Sequence, residues 1–213
     1  PWNHTPMELM MREIGISGEQ LDAFAHLADH VASKSSDVIR FNGPGGTGKT
    51  FVLRHLIRFL ELQGFRSAVV AFTGRAASQL AKDGVTANTC HSLLYNPIFD
   101  ENDILIGWEL KSLDEILASC GDCLILDEGS MLPREMYEVF RKLPIPKIFA
   151  GDRKQLPSVA PKEYEFNAME DVPGDIISLT INHRFSESNG IGFIANHLRE
   201  NDSFPRVRKE SLA

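Results

Sequence analysis

Eight consecutive residues match the pattern G-x-x-x-x-G-K-[ST] at every required position. They are Gly43, Pro44, Gly45, Gly46, Thr47, Gly48, Lys49 and Thr50. Glycines let successive backbone N–H groups turn toward a bound phosphate, where side chains would block them. Lys49 can bring its ammonium group to the β- and γ-phosphates, and the Thr50 hydroxyl can ligate Mg²⁺. The stretch predicts a site for a nucleoside triphosphate and Mg²⁺.

The segments on either side of this stretch are typical of the strand and helix that a phosphate loop needs. Val38–Asn42 is predicted as a short strand, and residues 51–63 as a helix that stops at Gly64. The helix has one apolar face, formed by Val52, Leu53, Leu56, Ile57 and Leu60. The alternative is a glycine-rich turn that matches the pattern by chance, but such a turn would not require a strand before it and a helix after it. The sequence therefore favours a bound nucleoside triphosphate.

Asp127 and Glu128 end a second apolar run, which begins at Cys123. Such a run is typical of a central parallel strand that is buried on both faces. Asp127 could then hold Mg²⁺, directly or through water, and Glu128 could orient and deprotonate an attacking water. Two acids at a solvated strand end are common by themselves, but their position downstream of a phosphate loop favours the catalytic interpretation.

Polar side chains follow three other predicted strands, at residues 67–72, 146–150 and 176–179. Thr73 and Arg75 come after the first of these, Gln155 after the second and Arg184 after the third. Open α/β sheets contact their ligands at the carboxyl ends of their strands. We therefore expect these residues to lie near the nucleotide or near a second ligand.

Gln20 has two interpretations that the sequence leaves open. With Ser17 it forms a capping-box pattern before an apolar helical face of Leu21, Phe24, Leu27, Ala28 and Val31. Its amide could instead donate to and accept from the edge of an adenine base.

Composition indicates one α/β domain, with a parallel sheet flanked by helices. The chain has 213 residues, of which 43% are hydrophobic and 24% charged, and no apolar run approaches the length of a membrane span. Its first residues lack the pattern of a signal peptide, so we expect a cytoplasmic protein without a membrane partner, and the compact layout would suit a bacterial or phage-infected cell. A net charge of −7 argues against unspecific binding to nucleic acid but does not exclude a local binding groove.

Three cysteines are too few for a disulfide framework. Cys120 and Cys123 form a C-x-x-C pattern, which could indicate a redox or zinc site. No second Cys/His pair stands at a suitable spacing, so we interpret these cysteines as buried structural residues.

Three stretches lie outside the predicted sheet. Residues 1–36 form an N-terminal segment before the predicted nucleotide-binding domain at 37–200, within which residues 95–112 are predicted as a β-hairpin insertion. Residues 201–213 are polar and are predicted as a frayed tail.

Taken in order, these motifs resemble the first motor domain of superfamily 1B DNA helicases, the RecD-like branch that includes the phage Dda-type enzymes. The resemblance covers nearly all of residues 17–200 and rests on seven stretches. They are the Gln20 region, Gly43–Thr50, Ala71–Ala77, Thr89–Leu93, Leu126–Met131, Gly151–Val159 and Leu179–Arg184. It implies a RecA-like P-loop NTPase fold and 5′→3′ helicase activity driven by ATP, in replication, recombination or repair.

The resemblance also implies a role for each matching residue. Gln20 would contact adenine, Lys49 and Thr50 the phosphates and Mg²⁺, and Asp127 and Glu128 would be metal ligand and base. Gln155 and Arg184 would contact the γ-phosphate. Four residues match motifs that hold single-stranded DNA: Thr73, Arg75, Thr89 and His91. For His91 a purely structural role is the alternative. Tyr95, Phe99 or Trp108 of the hairpin could stack on a base or pack within the hairpin.

Members of this family carry a second RecA-like domain, which has no counterpart among these 213 residues. In related systems an arginine supplied from outside raises turnover by orders of magnitude. We therefore expect the isolated chain to bind ATP but to hydrolyse it weakly, with the second domain supplied in cis or by another chain. A nucleotide-gated DNA-binding module without turnover is the alternative, and a ring-forming ATPase fits less well because it does not need the residues around Thr89 or after Gly151.

Overall fold

The computed structural model describes residues 15–16, 18–82, 84–155 and 166–183. Helices and strands alternate along these residues. In chain order they are α1 (Gly18–Ala32), β1 (Val38–Asn42), α2 (Lys49–Leu62), β2 (Ser67–Ala71), α3 (Gly74–Lys82), β3 (Asn88–Thr89), α4 (Cys90–Leu94), β4 (Tyr95–Phe99), β5 (Leu105–Leu110), α5 (Leu113–Cys120), β6 (Cys123–Asp127), a 3₁₀ turn (Gly129–Met131), α6 (Arg134–Phe140), β7 (Lys147–Gly151) and β8 (Ile176–Ser178).

Six strands form one sheet in the order β3-β2-β6-β7-β1-β8. Every pairing is parallel, and the register sets Phe41 opposite Ala150 and Ala71 opposite Asp127. The carboxyl ends of parallel strands share one edge of the sheet, so the loops after β1, β6 and β7 all start there. The predicted α/β fold, with a parallel sheet flanked by helices and a small hairpin, is confirmed.

Alternate side chains of the central strands enter two hydrophobic cores. Ile125 of β6 and Ile148 of β7 pack with α1 and α2, whereas Leu124, Leu126 and Phe149 pack with α4, α5 and α6. All five side chains are buried because the sheet is covered on both faces. The predicted apolar face of α1 is buried as well, and Phe24 meets Phe59 of α2 edge to face at 5.5 Å between ring centroids.

β4 and β5 form the predicted antiparallel hairpin, with a register shift between Ile98 and Phe99. Its turn is held by the Asp100 carboxylate, which accepts hydrogen bonds from the backbone N–H groups of Asn102 and Ile104. The hairpin exposes several large apolar side chains. They include Phe99, Ile104, Leu105, Ile106 and Trp108.

Several elements differ from the sequence expectation by a few residues. β2 ends at Ala71 rather than Phe72, and α2 begins at Lys49 inside the phosphate loop. α6 ends at Phe140 rather than Leu143, and β7 runs one residue later than predicted. The helix predicted at 190–199 and the tail predicted at 201–213 lie outside the described residues.

The three cysteines are free and buried, as the structural interpretation requires. Burial raises the pKa of Cys120 to about 11 and the pKa values of Cys90 and Cys123 to about 12. A thiol with so high a pKa is protonated near neutral pH and is a poor nucleophile. No cluster of three or more potential metal ligands from His, Cys, Asp and Glu occurs within the described ranges.

Candidate functional site

The phosphate-loop residues connect the end of β1 to the start of α2. Gly46 and Gly48 have φ angles of 91° and 90°, in the left-handed region that favours glycine. Gly48 is also the N-cap of α2 and offers no side chain to the first N–H groups of that helix. A helix start without a side-chain cap suits an anion, which the backbone N–H groups and the helix dipole can bind.

The side chains of this loop fold back onto its own backbone. The Lys49 ammonium donates hydrogen bonds to the carbonyl oxygens of Gly43 and Pro44, and Thr47 Oγ1 donates to Pro44 at 2.9 Å. Thr47 is almost fully buried. Its side chain therefore stabilises the loop from inside, whereas Lys49 can exchange carbonyl oxygens for phosphate oxygens.

Asp127 and Glu128 lie at the carboxyl end of β6, as predicted. Burial raises the pKa of Asp127, opposed by a hydrogen bond from the Glu128 N–H group at 3.0 Å and by the nearby Lys49 charge. The two motifs thus face each other closely enough for their charges to interact. Glu128 itself has a left-handed backbone, with φ of 56°. Such strain in a residue other than glycine is concentrated at functional sites.

The donor set fits Mg²⁺. Asp127 supplies a carboxylate and Thr50, half-buried at the start of α2, supplies a hydroxyl. Hard oxygen ligands of this kind, in small number and completed by water and phosphate, are what Mg²⁺ prefers.

The turn after β7 is attached to the end of β1. The Arg153 N–H group donates to Asn42 Oδ1 at 3.0 Å, and the Gly43 N–H group donates to the carbonyl of Gly151 at 3.1 Å. Gln155 is exposed just beyond this turn, on the predicted side of the sheet. Arg184, its predicted companion, lies outside the described residues.

Gln20 contacts the phosphate loop directly. Its side-chain amide nitrogen donates to the carbonyl oxygen of Thr47 at 3.0 Å, and the side chain is buried. The contact joins α1 to the phosphate loop, and adenine recognition by Gln20 stays a prediction. Ser17, on which the capping interpretation depends, lies outside the described residues.

The predicted DNA-binding residues lie at the other half of the same sheet edge, after β2 and around β3. Thr73 caps α3 by accepting from the Ala76 N–H group at 3.2 Å, and Thr89 caps α4 by accepting from the Ser92 N–H group at 3.1 Å. Arg75 is exposed on the first turn of α3. The structure therefore brings the four residues to one region, and it gives both threonines a structural task as well.

His91 of this group packs against the hairpin. Its ring is 4.7 Å from that of Tyr95 and 5.0 Å from that of Trp108, between centroids. The His91 side chain is exposed as well, so the structure is compatible with both of its interpretations.

Three residues that organise this edge were missed by the sequence analysis. Asn42 accepts from Arg153 and donates to Ser178 Oγ at 3.3 Å, which joins β1, the turn after β7 and β8. Buried Arg40 donates to the carbonyls of Met169, Glu170 and Gly174. Glu19 accepts three hydrogen bonds from Thr180 and Ile181. Only Asn42 carried a sequence signal, as a polar residue that ends a buried strand.

A cleft of about 720 Å³ opens beside β2 and β3, and Asn88, Ser92 and Leu93, the neighbours of Thr89 and His91, line part of it. It is lined by the carboxyl half of α2, including Arg58 and Glu61, by Ser67 and Val69 of β2, and by Lys111. None of the predicted site residues with a described position lines it. The cleft thus borders two of the predicted DNA-binding residues and includes none of the predicted nucleotide-site residues that the structure describes.

No described helix is long and apolar enough to cross a membrane.

Comparison with known proteins gives consistent similarities. A family model described as an AAA domain, AAA_30, matches residues 16–209. The ATP-dependent DNA helicase dda of Enterobacteria phage T4 is 33% identical over 150 residues, which are 68% of this chain and 33% of that protein. The ATP-dependent DNA helicase PIF1 of Trypanosoma brucei brucei is 34% identical over 101 residues, 47% of this chain and 9% of that protein.

Among solved structures, Pif1 of Bacteroides sp. in complex with ADP-AlF4 superposes with a TM-score of 0.59 at 22% identity. The match covers 92% of this chain and 48% of that one. At this identity the similarity supports the fold alone. The chain thus spans about a third of the phage relative and about half of the solved one. Together these similarities confirm the resemblance predicted from the order of the motifs.

Proposed function

The chain belongs to the AAA_30 family of AAA domains, and from this premise we propose that it is the ATP-binding first motor domain of a DNA helicase. In this proposal the domain binds ATP with Mg²⁺ and couples its hydrolysis to movement along single-stranded DNA. One observation carries the proposal. The phosphate loop after β1 and the acids that end β6 meet at one sheet edge, with the Lys49 charge close enough to act on Asp127.

In this proposal each group of the nucleotide site has one role. The backbone N–H groups of residues 43–50 and the ammonium of Lys49 bind phosphate oxygens, and Thr50 and Asp127 hold Mg²⁺. When bound, Mg²⁺ neutralises charge that develops on the phosphates during transfer. Glu128 orients a water and accepts its proton, while Gln155 and Arg184 contact the γ-phosphate.

Single-stranded DNA is the proposed second ligand. Thr73, Arg75, Thr89 and His91 lie at the carboxyl ends of β2 and β3, along the same edge as the nucleotide site. Hydroxyl groups, cations and backbone N–H groups are the donors that proteins present to DNA phosphates. Nucleotide and DNA would thus bind side by side on one rigid sheet. We propose that a second RecA-like domain, in the same polypeptide or in another chain, completes the ATP site.

Nucleotide binding is tested first, because it does not depend on a second domain. Titration of a fluorescent ATP analogue should give saturable binding that Mg²⁺ strengthens. Lys49→Ala should weaken it by about a hundredfold, which corresponds to two charge-assisted hydrogen bonds. Lys82→Ala, which removes an equal charge from the exposed end of α3, is the matched control and should change nothing. Equal effects of the two variants would contradict the proposed site.

Turnover is tested second. Steady-state ATPase activity is measured with and without single-stranded DNA, for the chain and for Glu128→Gln. DNA-stimulated activity that Glu128→Gln abolishes would mean that the site is complete in this chain. Binding with negligible turnover would support a motor domain that needs its partner.

A nucleotide-gated DNA-binding module is the second candidate. It needs only the nucleotide and DNA positions along the carboxyl edge of the sheet and no second domain for turnover. This candidate predicts DNA affinity that changes with bound nucleotide and no turnover even when a second domain is supplied.

A further inference from the structure

Glu19, next to Gln20 at the start of α1, holds a distant segment of the chain. One carboxylate oxygen accepts from the Thr180 N–H group at 2.6 Å and from Thr180 Oγ1 at 2.8 Å, and the other accepts from the Ile181 N–H group at 3.1 Å. Hydrogen bonds to a charged acceptor are about twice as strong as neutral ones. These three bonds therefore fix the backbone just after β8 to the end of a helix.

The segment that Glu19 holds also lies on the phosphate loop. The Asn182 side-chain amide donates to the carbonyl of Gly45 at 3.2 Å, and the His183 N–H group donates to the carbonyl of Gly46 at 2.9 Å. Leu179 donates to the carbonyl of Asn42 at 2.8 Å. Residues 179–183 thus run from the end of β1 across the outside of the loop that is proposed to bind phosphate.

Burial of Glu19 by itself would raise its pKa, but the hydrogen bonds from Ile181 and Thr180, with the His183 charge, lower it. The carboxylate is therefore the form that the folded protein stabilises. The ionised Glu19 carboxylate stabilises the folded protein fully above the pKa that Glu19 has in the unfolded chain. This stabilisation is lost as the pH falls through the lower pKa of the folded protein.

We propose that Glu19 is a positioning residue, which sets the segment leading to Arg184 against the phosphate loop. The inference rests on the proposed function, in which Arg184 contacts the γ-phosphate. Two adjacent residues at the start of α1, Glu19 and Gln20, then contact two different segments at the nucleotide site. Gln20 contacts the loop at Thr47, and Glu19 fixes Thr180 and Ile181, which precede Arg184 by four and three positions.

This arrangement has a specific consequence for nucleotide binding. A residue that acts through Arg184 affects only ligands that carry a γ-phosphate, whereas a general loss of structure affects ATP and ADP alike. Loss of the Glu19 contacts should therefore reduce the preference for ATP over ADP. We expect a reduction of about tenfold for Glu19→Ala and a smaller one for Glu19→Gln, which keeps one acceptor but turns an N–H₂ group toward the Ile181 or Thr180 N–H group.

The experiment has two independent readouts. Hydrogen–deuterium exchange of the peptide that covers residues 176–183 is measured in the protein without nucleotide. Dissociation constants of a fluorescent, non-hydrolysable ATP analogue and of the matching ADP analogue are then measured with Mg²⁺. Asp22→Asn is the matched control for Glu19→Gln, because it removes the same charge from an exposed position one turn further along α1.

The proposal expects about tenfold faster exchange at 176–183 in Glu19→Ala, together with a reduced ATP preference and no change in Asp22→Asn. Unchanged exchange would overturn it, because the three hydrogen bonds would then not hold the segment. Faster exchange with an unchanged ATP to ADP ratio would also overturn it, since Glu19 would then be structural only. If the unaltered chain binds neither nucleotide, the proposed function fails, and the exchange readout alone reports whether Glu19 holds the segment.

Discussion

The amide nitrogen of Gln20 occupies the space into which a side chain at Gly48 would extend. A Cβ atom built on Gly48 would lie 2.3 Å from Gln20 Nε2, far closer than any normal contact. Gly48 also has a φ of 90°, so two separate reasons disfavour a larger residue there. The phosphate loop and the start of α1 are therefore shaped to each other.

Replacing Gly48 tests this relationship. Gly48→Ala should cost about 1–2 kcal/mol of unfolding free energy for the left-handed backbone and roughly 1 kcal/mol more for the displaced Gln20 hydrogen bond. In a protein that already carries Gln20→Ala, Gly48→Ala should cost only the free energy of the left-handed backbone. Unfolding in urea measures all four members of this double-mutant cycle.

Gly84→Ala is the matched control, because it measures the cost of placing alanine at a left-handed backbone position. Gly84 has a φ of 81°, and a Cβ there would meet nothing within 4 Å. If Gly48→Ala and Gly84→Ala cost the same, the contact between Gln20 and the loop contributes nothing to stability.

Asp127→Asn should stabilise the metal-free protein while it weakens Mg²⁺-dependent nucleotide binding. Burial raises the pKa of Asp127, which means that the folded state disfavours its charge. Asparagine keeps an oxygen that can accept from the Glu128 N–H group but carries no charge. The melting temperature should rise near neutral pH without Mg²⁺, and the gain in affinity that Mg²⁺ gives to the ATP analogue should be lost. A lower melting temperature would show that attraction to Lys49 outweighs the cost of burial.

Lys147 should make stability rise at alkaline pH. Its side chain is buried at the start of β7, and its ammonium donates to the carbonyls of Leu143 at 2.7 Å and Ile145 at 2.8 Å. Burial lowers the pKa of Lys147 from 10.5 to about 8, although the charge of Asp37 opposes this shift. Between these two pKa values Lys147 binds more protons in the unfolded chain than in the folded one, so its own contribution to the free energy of unfolding increases with pH. The buried thiols act in the opposite direction above their unfolded pKa of 9.0, so the effect of Lys147 is read as the difference between the protein and its Lys147 variant.

The slope is at most about 1.4 kcal/mol for each pH unit between the two values. Urea unfolding at two pH values in this window, for the unaltered protein and for Lys147→Met, measures it. The variant should lack the rise whatever its absolute stability. Parallel pH profiles would mean that Lys147 keeps its normal pKa despite burial.

His91 can be assigned to DNA or to the hairpin by comparing two substitutions. His91→Phe keeps a ring against Tyr95 and Trp108 but removes the polar ring nitrogens, whereas His91→Ala removes both. If His91 binds a DNA phosphate, both variants should lose about fivefold in affinity for single-stranded DNA, and only His91→Ala should also lose stability. Normal DNA binding by His91→Phe would leave His91 with a structural role alone.

Arg40 should be needed to hold residues 169–174 in place. Its guanidinium donates to three backbone carbonyls of that segment, at 3.4, 3.1 and 2.7 Å. Arg40→Met fills similar space but leaves these carbonyls without their donor, which should cost about 3 kcal/mol. Urea unfolding measures the loss. Arg66→Met, a change of an exposed arginine, is the comparison and should cost less than about 0.5 kcal/mol.

The local motifs of this protein could be predicted because their meaning depends on neighbouring residues. Residues 43–50 contain the glycines and the lysine of a phosphate loop, and the runs before and after them have the periods of a strand and a helix. The same holds for the buried strand that ends in Asp127 and for the hairpin of β4 and β5. The parallel sheet followed from these alternating elements.

The contacts between distant residues could only come from the tertiary structure. Glu19 and Thr180 are 161 positions apart, and Arg40 and Gly174 are 134 apart. No periodicity connects such pairs, because the hydrogen bonds form only once β1 and β8 are paired in register. Sequence by itself determined which residues could bind phosphate and metal. The fold decided which other residues hold them, since a carboxylate or guanidinium selects its partner by distance in space and not along the chain.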